Sequence, residues 1–367
     1  MYKGIGSSVF CLLLCSCIRP EAPNAEADII ACTLQSEYIK NDPLITNNKV
    51  TFMALSRIDR TRLAPQFEIS PGATIDPPGG TVRDFSRPQT YRVRSEDGKW
   101  EKTYTLTVDT SDLSVRYHFE QYETIDQKYH AFYELIPVPG GASARQDVWA
   151  SANPGFTLTG MGSTPEQFPT VSIPDGQSGR GVLLQTRSTG IFGSLLAKPI
   201  AAGNFFIGSF DASKVMSNHL EATRFGLPFG KKPLAIRGFY TYKAGPVFTN
   251  SRSEEIPGRK DEGLIYAVFY ETDETVNYLN GTNIGVKPGN IQHPNILGRA
   301  ELAPFEETEE WRYFEIPFVY DRAVDPEKLK AYKYNFTIVC SSGKWGDLFE
   351  GAAGSRLCID EVEVVCE

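Results

Sequence analysis

Residues 90–108 read TYRVRSEDGKWEKTYTLTV, and their pattern decides the fold class. Tyr91 and Val93 alternate with Arg92 and Arg94, and Tyr104, Leu106 and Val108 alternate with Thr103, Thr105 and Thr107. A period of two sends successive side chains to opposite faces of a strand. Each run therefore has one apolar face for a core and one polar face for water. Between the runs lies Asp97-Gly98, and glycine accepts the positive φ that a tight turn demands. The stretch predicts an antiparallel β-hairpin.

The same grammar extends outward. Runs at 29–34, 50–55 and 66–69 complete a set of short strands over residues 28–110, which suits an immunoglobulin-like sandwich. A polar junction, Thr110-Ser111-Asp112, follows. Residues 113–367 carry further β-like runs at 115–119, 181–185, 204–210, 236–243, 264–271, 311–318, 335–341 and 357–365. Many strands, long connections and few helical patterns suit a jelly-roll sandwich. Asp325-Pro326 opens the one convincing helix, with Asp as N-cap and Pro at the first helical position. The expectation is an all-β chain, an immunoglobulin-like sandwich followed by a larger jelly roll.

Composition agrees. The 367 residues are 41% hydrophobic and 22% charged, enough to bury a core. The 32 Gly and 24 Pro supply turns between strands rich in Tyr and Phe. The net charge of −8 lacks the basic footprint that binds a phosphate backbone, which argues against a nucleic-acid partner.

The first residues read as an address. Lys3 precedes a short apolar stretch, Val9 to Leu14, too short to span a bilayer. Leu14-Cys15-Ser16-Cys17 resembles a bacterial lipobox, which predicts a signal peptide over 1–16 and a lipidated Cys17. The lipid would hold the protein at a membrane with no spanning segment. Residues 17–27, rich in Pro, Ala and acids, read as a tether. The remaining Cys32, Cys340, Cys358 and Cys366 show no zinc spacing; a Cys340–Cys358 disulfide and buried free thiols both fit.

No GxSxG, Walker A, HExxH or suitably placed GxGxxG occurs, so a serine hydrolase or metalloenzyme has no support. Two carboxylates can hydrolyse a glycoside, and Glu271, Glu315, Asp321 and Asp360 stand at strand ends; Glu271 is the best acid if there is catalysis. Trp149 and Asn153 sit in the loop WASANPGF, and Lys344 and Trp345 sit in SSGKWGDLFEGAAGS. A Trp among Gly, Ser and Asn can stack a sugar ring, while Asn153, Arg224, Lys243 and Lys344 can bond hydroxyls. Tyr240, Tyr242 and Tyr266 read as core. Glu120 and Asp360, on the first and last strands of the large unit, are a candidate pair for a structural calcium, or acids bonded to a loop backbone. No other cofactor is indicated.

The segments WASANPGF (149–156), AAGNFFIGSF (201–210), ATRFGLPFGKKP (222–233), RGFYTYKAG (237–245), IYAVFYE (265–271), WRYFEIPF (311–318) and GAAGSRLCIDEVEVVCE (351–367) run in order through most of the large unit. Together they resemble the family described as the putative carbohydrate metabolism domain. The resemblance implies a jelly roll similar to carbohydrate-binding modules, an immunoglobulin-like domain ahead of it, and a role in glycan use. The combined expectation is a lipid-anchored protein of the cell envelope, at the outer membrane or cell surface, that binds an oligo- or polysaccharide. Two alternatives stay open: a glycoside hydrolase using paired carboxylates in the same cleft, and a non-catalytic adhesive or structural protein.

Overall fold

A computed structural model describes residues 23–137, 143–285 and 292–367. The expected signal peptide and Cys17 lie outside them. Strands dominate, and among the described residues no helix is long and apolar enough to cross a membrane.

The hairpin forms as its alternation requires. Strand Gln89–Arg94 pairs antiparallel with Glu101–Asp109, Tyr91 opposite Tyr104. Gly98 takes φ 68° in the turn, and Ser95 N–H donates to the Trp100 carbonyl at 3.0 Å. Tyr91, Val93, Tyr104, Leu106 and Val108 all enter one core, with Val50 and Phe52. Five strands make one sheet, with Lys49–Met53 parallel to Glu101–Asp109; Ile29–Thr33 and Gln66–Ile69 make the second layer. The end of the expected tether is already part of this sandwich. Asn24 N–H donates to Glu96 at 2.8 Å, Asp97 N–H donates to the Asn24 carbonyl at 3.2 Å, and Ala27 is buried. These bonds hold residues that composition alone reads as loose chain.

The larger unit is two packed sheets. The eight-stranded sheet runs Trp149–Ala150, Asn204–Phe210, Tyr334–Ser341, Leu264–Glu271, Ile296–Glu301 and Val319–Tyr320, with Thr223–Phe225 and Leu227–Pro228 attached. The six-stranded sheet runs Thr170–Ile173, Gly181–Gln185, Arg356–Cys366, Pro233–Lys243 and Thr308–Pro317, and Arg116–Tyr117 pairs with the last strand of the chain. Their inner faces share one core: Phe205, Ile207, Ala267 and Phe269 from the first meet Ile236, Tyr240, Phe314 and Ile359 from the second. Dense interdigitation of this kind supplies most of the stability of such a sandwich. Tyr240 and Tyr242 lie in this core, and Tyr266 is buried on the other face of its sheet. The short helix Pro326–Lys330 starts where expected, with Asp325 accepting from Glu327 N–H at 2.8 Å.

The two units share contacts. Leu44 and Met53 of the smaller one join the larger core together with Leu113. Lys49 bonds Asp147 at 3.2 Å and also Glu123, while the Tyr129 hydroxyl donates to Asn47 at 2.7 Å. Cys32, Cys340, Cys358 and Cys366 are free thiols. Cys340 points into the core between the sheets, while Cys358 is half-buried on the opposite sheet.

Candidate functional site

Strand alternation builds an outward groove on the six-stranded sheet. On Pro233–Lys243, Ile236, Tyr240 and Tyr242 face the core, which leaves Arg237 and Phe239 outside. On Thr308–Pro317, Phe314 and Ile316 face in, which leaves Tyr313 and Glu315 outside. Antiparallel register sets Phe239 beside Tyr313 and Arg237 beside Glu315. The two rings meet edge to face, centroids 5.5 Å apart, and Tyr313 is 49% exposed. An exposed tyrosine packed on a half-buried phenylalanine leaves an aromatic surface on the outer face of the sheet.

Charge surrounds the rings. Arg237 donates from Nη2 and Nε to Glu363 Oε2 at 2.7 and 2.9 Å. Hydrogen bonding to Arg237, with Arg116 adding a second bond, holds the Glu363 carboxyl below the usual range. The Tyr313 hydroxyl donates to Glu315, and that bond raises its own pKa. Gln177 and Ser178 close the other wall around an open volume of about 350 Å³. Gly238 forms part of the floor; a Cβ there would meet Phe314 at 3.1 Å and two backbone oxygens at 3.2 Å. Trp311 reaches across the sheet, its ring 3.6 Å from where a Gly181 Cβ would stand.

A bulge in the last strand shapes the groove. Arg237 is opposite Glu363, but Phe239 is opposite Asp360, so one extra residue is inserted. Glu361 takes φ 50° there, and its carboxylate meets His118 Nδ1 at 2.9 Å. Bulges re-aim side chains, and a non-glycine residue at positive φ is a strain that its surroundings must enforce. Asp360 is fully buried and clamps the wall loop, accepting from Ser178 N–H at 2.9 Å. Burial pushes its carboxyl up to about 6. Glu120 grips the same loop, accepting from Arg180 N–H at 3.0 Å.

The Glu120 and Asp360 pair thus meets at one loop. Calcium takes six to eight oxygens. Here backbone N–H groups point at the carboxylates, and among the described residues no third acid, Cys or His completes a metal cluster. The arrangement fits loop anchoring by backbone N–H groups.

The loops that carry Trp149 and Trp345 do border a hollow, on the outer face of the other sheet. Ala152, Gly155 and Phe156 line it from one side; Lys344, Gly346, Asp347 and Phe349 from the other, around about 250 Å³. The tryptophans face elsewhere. Trp149 is 6% exposed, stacked on Phe205 at 4.5 Å and met edge-on by Tyr117 and Phe119. It is core, because its two-residue strand turns it under the sheet. Trp345 packs against Arg259, 5.1 Å from its ring. Asn153 is fully buried and holds both backbone groups of Thr170, at 2.7 and 3.1 Å. Arg224 pairs with Asp211 at 3.0 Å outside the hollow. Lys243 pairs with Glu309 at 2.7 Å on the six-stranded sheet. Of the expected ligand contacts only Lys344 lines the hollow, and it is paired with Glu262 at 2.9 Å. Glu271 ends the strand that begins at the hollow with Leu264, about 24 Å away at 3.4 Å per residue, and is paired with Lys328.

Sequence reading missed Arg237, Phe239, Tyr313, Glu361 and Glu363. A signal was present: Arg237, Phe239 and Tyr313 occupy outward positions of period-two strands.

The fold and the groove define a two-sandwich, all-β protein with an aromatic and charged groove on one sheet. Residues 118–365 match the family model "Putative carbohydrate metabolism domain", and the chain belongs to that family. Residues 30–108 match the model "SGBP, N-terminal", the N-terminal part of surface glycan-binding proteins. Among solved structures, a putative glycoside hydrolase from Bacteroides thetaiotaomicron is 45% identical, with TM-score 0.86, over 95% of this chain and 99% of that one. A putative glycoside hydrolase from Bacteroides vulgatus is 42% identical, with TM-score 0.64, over 70% of this chain and 100% of that one. A search of curated proteins gave no match. The protein is related to surface glycan-binding and carbohydrate-metabolism proteins.

Proposed function

We propose that this chain is a lipid-anchored cell-envelope protein that binds a glycan in the groove of the six-stranded sheet. The observation that carries the reading is the exposed Tyr313 ring packed on half-buried Phe239 and bracketed by Arg237, Glu361 and Glu363. Sugar C–H faces stack on such rings, and the charged groups, reachable from solvent, exchange their bonds for hydroxyls. The two family matches support carbohydrate as the ligand class.

A glycan array followed by calorimetry on the best ligand tests this. Tyr313→Ala should weaken binding about tenfold, since loss of ~1.4 kcal/mol of stacking and hydrogen bonding is one decade. Its melting temperature should stay close to wild type, because half of the ring is already in water. Unchanged affinity in Tyr313→Ala and Phe239→Ala would move the ligand off this groove. Cleavage of the bound glycan would replace binding by hydrolysis, with Glu361 then the first acid to substitute. The anchor has its own check: Cys17→Ala should leave the membrane fraction or accumulate as precursor, and normal retention would exclude lipidation at Cys17.

A further inference from the structure

The hollow on the eight-stranded sheet differs in chemistry from the groove. Its floor is Phe206, Phe225, Leu264, Tyr266 and Val339, the face of the sheet turned away from the central core. A sugar site needs donors and acceptors left open for hydroxyls. Here several polar wall groups are turned to the protein itself. His219 Nε2 meets the Asp347 carbonyl at 2.9 Å, Asn204 accepts from Ala152 N–H at 2.8 Å, and Ser341 donates to the Gly343 carbonyl at 2.9 Å. The Thr189 hydroxyl donates to the Lys198 carbonyl. None of the buried polar side-chain atoms left without a partner among the described residues belongs to this wall.

The mouth is apolar as well. Leu158 is 51% exposed, Leu196 42% and Met216 56%, and all three line the hollow. Ile191 and Leu195, four residues apart on the helix Gly190–Leu195, are 82% and 79% exposed. That helix abuts Met161, whose sulfur lies 2.7 Å from where a Gly190 Cβ would stand. An apolar collar around an apolar hollow is costly in water unless something covers both.

Three charged side chains line the wall, Lys198, Lys344 and Asp347, and Lys344 is held by Glu262 at 2.9 Å. Lys198, on the wall, donates to the Val215 carbonyl at 3.1 Å and lies 5.3 Å from the Phe349 ring centre. Among the described residues no carboxylate pairs with it. A half-buried ammonium with donors to spare complements an anionic head.

We propose that the hollow is a second ligand site, which takes the acyl chain of a fatty carboxylate with its head toward Lys198. Nothing in this rests on the glycan groove, which lies on the outer face of the other sheet, so either site can fail alone.

The test uses the full chain and straight-chain carboxylates from butanoate to tetradecanoate, below their micelle concentrations, followed by calorimetry. Affinity should rise about fourfold per methylene until the hollow is full, as burial of each CH₂ dictates. Thr223→Trp should fill the hollow from its edge strand and abolish decanoate binding. Leu158→Glu, at a half-exposed side chain where folding is not at stake, should weaken decanoate tenfold or more. Lys198→Met should weaken decanoate but leave decanol unchanged. Affinity independent of chain length would overturn the proposal. So would decanoate binding untouched by Leu158→Glu, or equal effects of Lys198→Met on acid and alcohol.

Discussion

Trp149 and Tyr313 both lie on strands of the large sandwich, and the side of the sheet each faces separates their roles. Trp149 stacks at 12° on Phe205 and spends its area on cohesion, whereas Tyr313 keeps half of its surface in water. The buried acids belong to this scale too. Asp360 and Glu134 are each pushed up to about 6 by burial. A carboxyl raised in the folded state means that the native protein binds more protons than the unfolded chain between about pH 4 and 6. Each group therefore costs stability as pH rises through that window, and the cost is complete above it. Asp360→Asn should remove its share of this pH dependence and flatten the stability profile between pH 4 and 6. Parallel denaturation curves of the two proteins across that window would show that Asp360 ionises freely.

At the scale of elements, the loop 174–180 is the part of the groove whose position is built by contacts. Glu120, in the connection that follows strand Arg116–Tyr117, and Asp360, on the last strand, hold it, and Gly176 N–H donates to the Gly179 carbonyl at 2.9 Å. Gly179 sits at φ 68°, and a Cβ there would fall 2.1 Å from Glu120 Oε1. Gly179→Ala meets both the left-handed penalty and that clash, so it should cost ~1–3 kcal/mol. It should also weaken glycan binding, because Gln177 and Ser178 move with the loop. Wild-type stability in Gly179→Ala would mean that the loop is not clamped.

On the scale of the whole molecule, the immunoglobulin-like sandwich is fastened to the jelly roll. Leu44 and Met53 complete the larger core, and Lys49 and Arg145 interleave with Glu123 and Asp147 beside them. A shared core couples unfolding of the two units, so the chain should melt in one transition. Leu44→Asp buries an unpaired charge at the seam, which costs several kcal/mol. It should split the single calorimetric transition into two. A wild-type protein that already melts in two steps would show that the seam carries no coupling.

Sequence alone determined the two-sandwich, all-β character, because period-two alternation and the Asp97-Gly98 turn are local and act within a few residues. It also showed the Asp325 helix start and the family segments. Local pattern says that a side chain leaves the core, but not what it meets. Phe239 and Tyr313 are 74 residues apart and become neighbours only through antiparallel register. The Asp360–Glu361 bulge is invisible in the run CIDEVEVV, since it exists only relative to the partner strand. Trp149 looks like a loop residue until its strand pairs with Asn204–Phe210 and carries the ring onto Phe205. Tertiary structure decided the site because a site is a set of residues brought together across strands, and that pairing is the one thing a periodic sequence leaves unwritten.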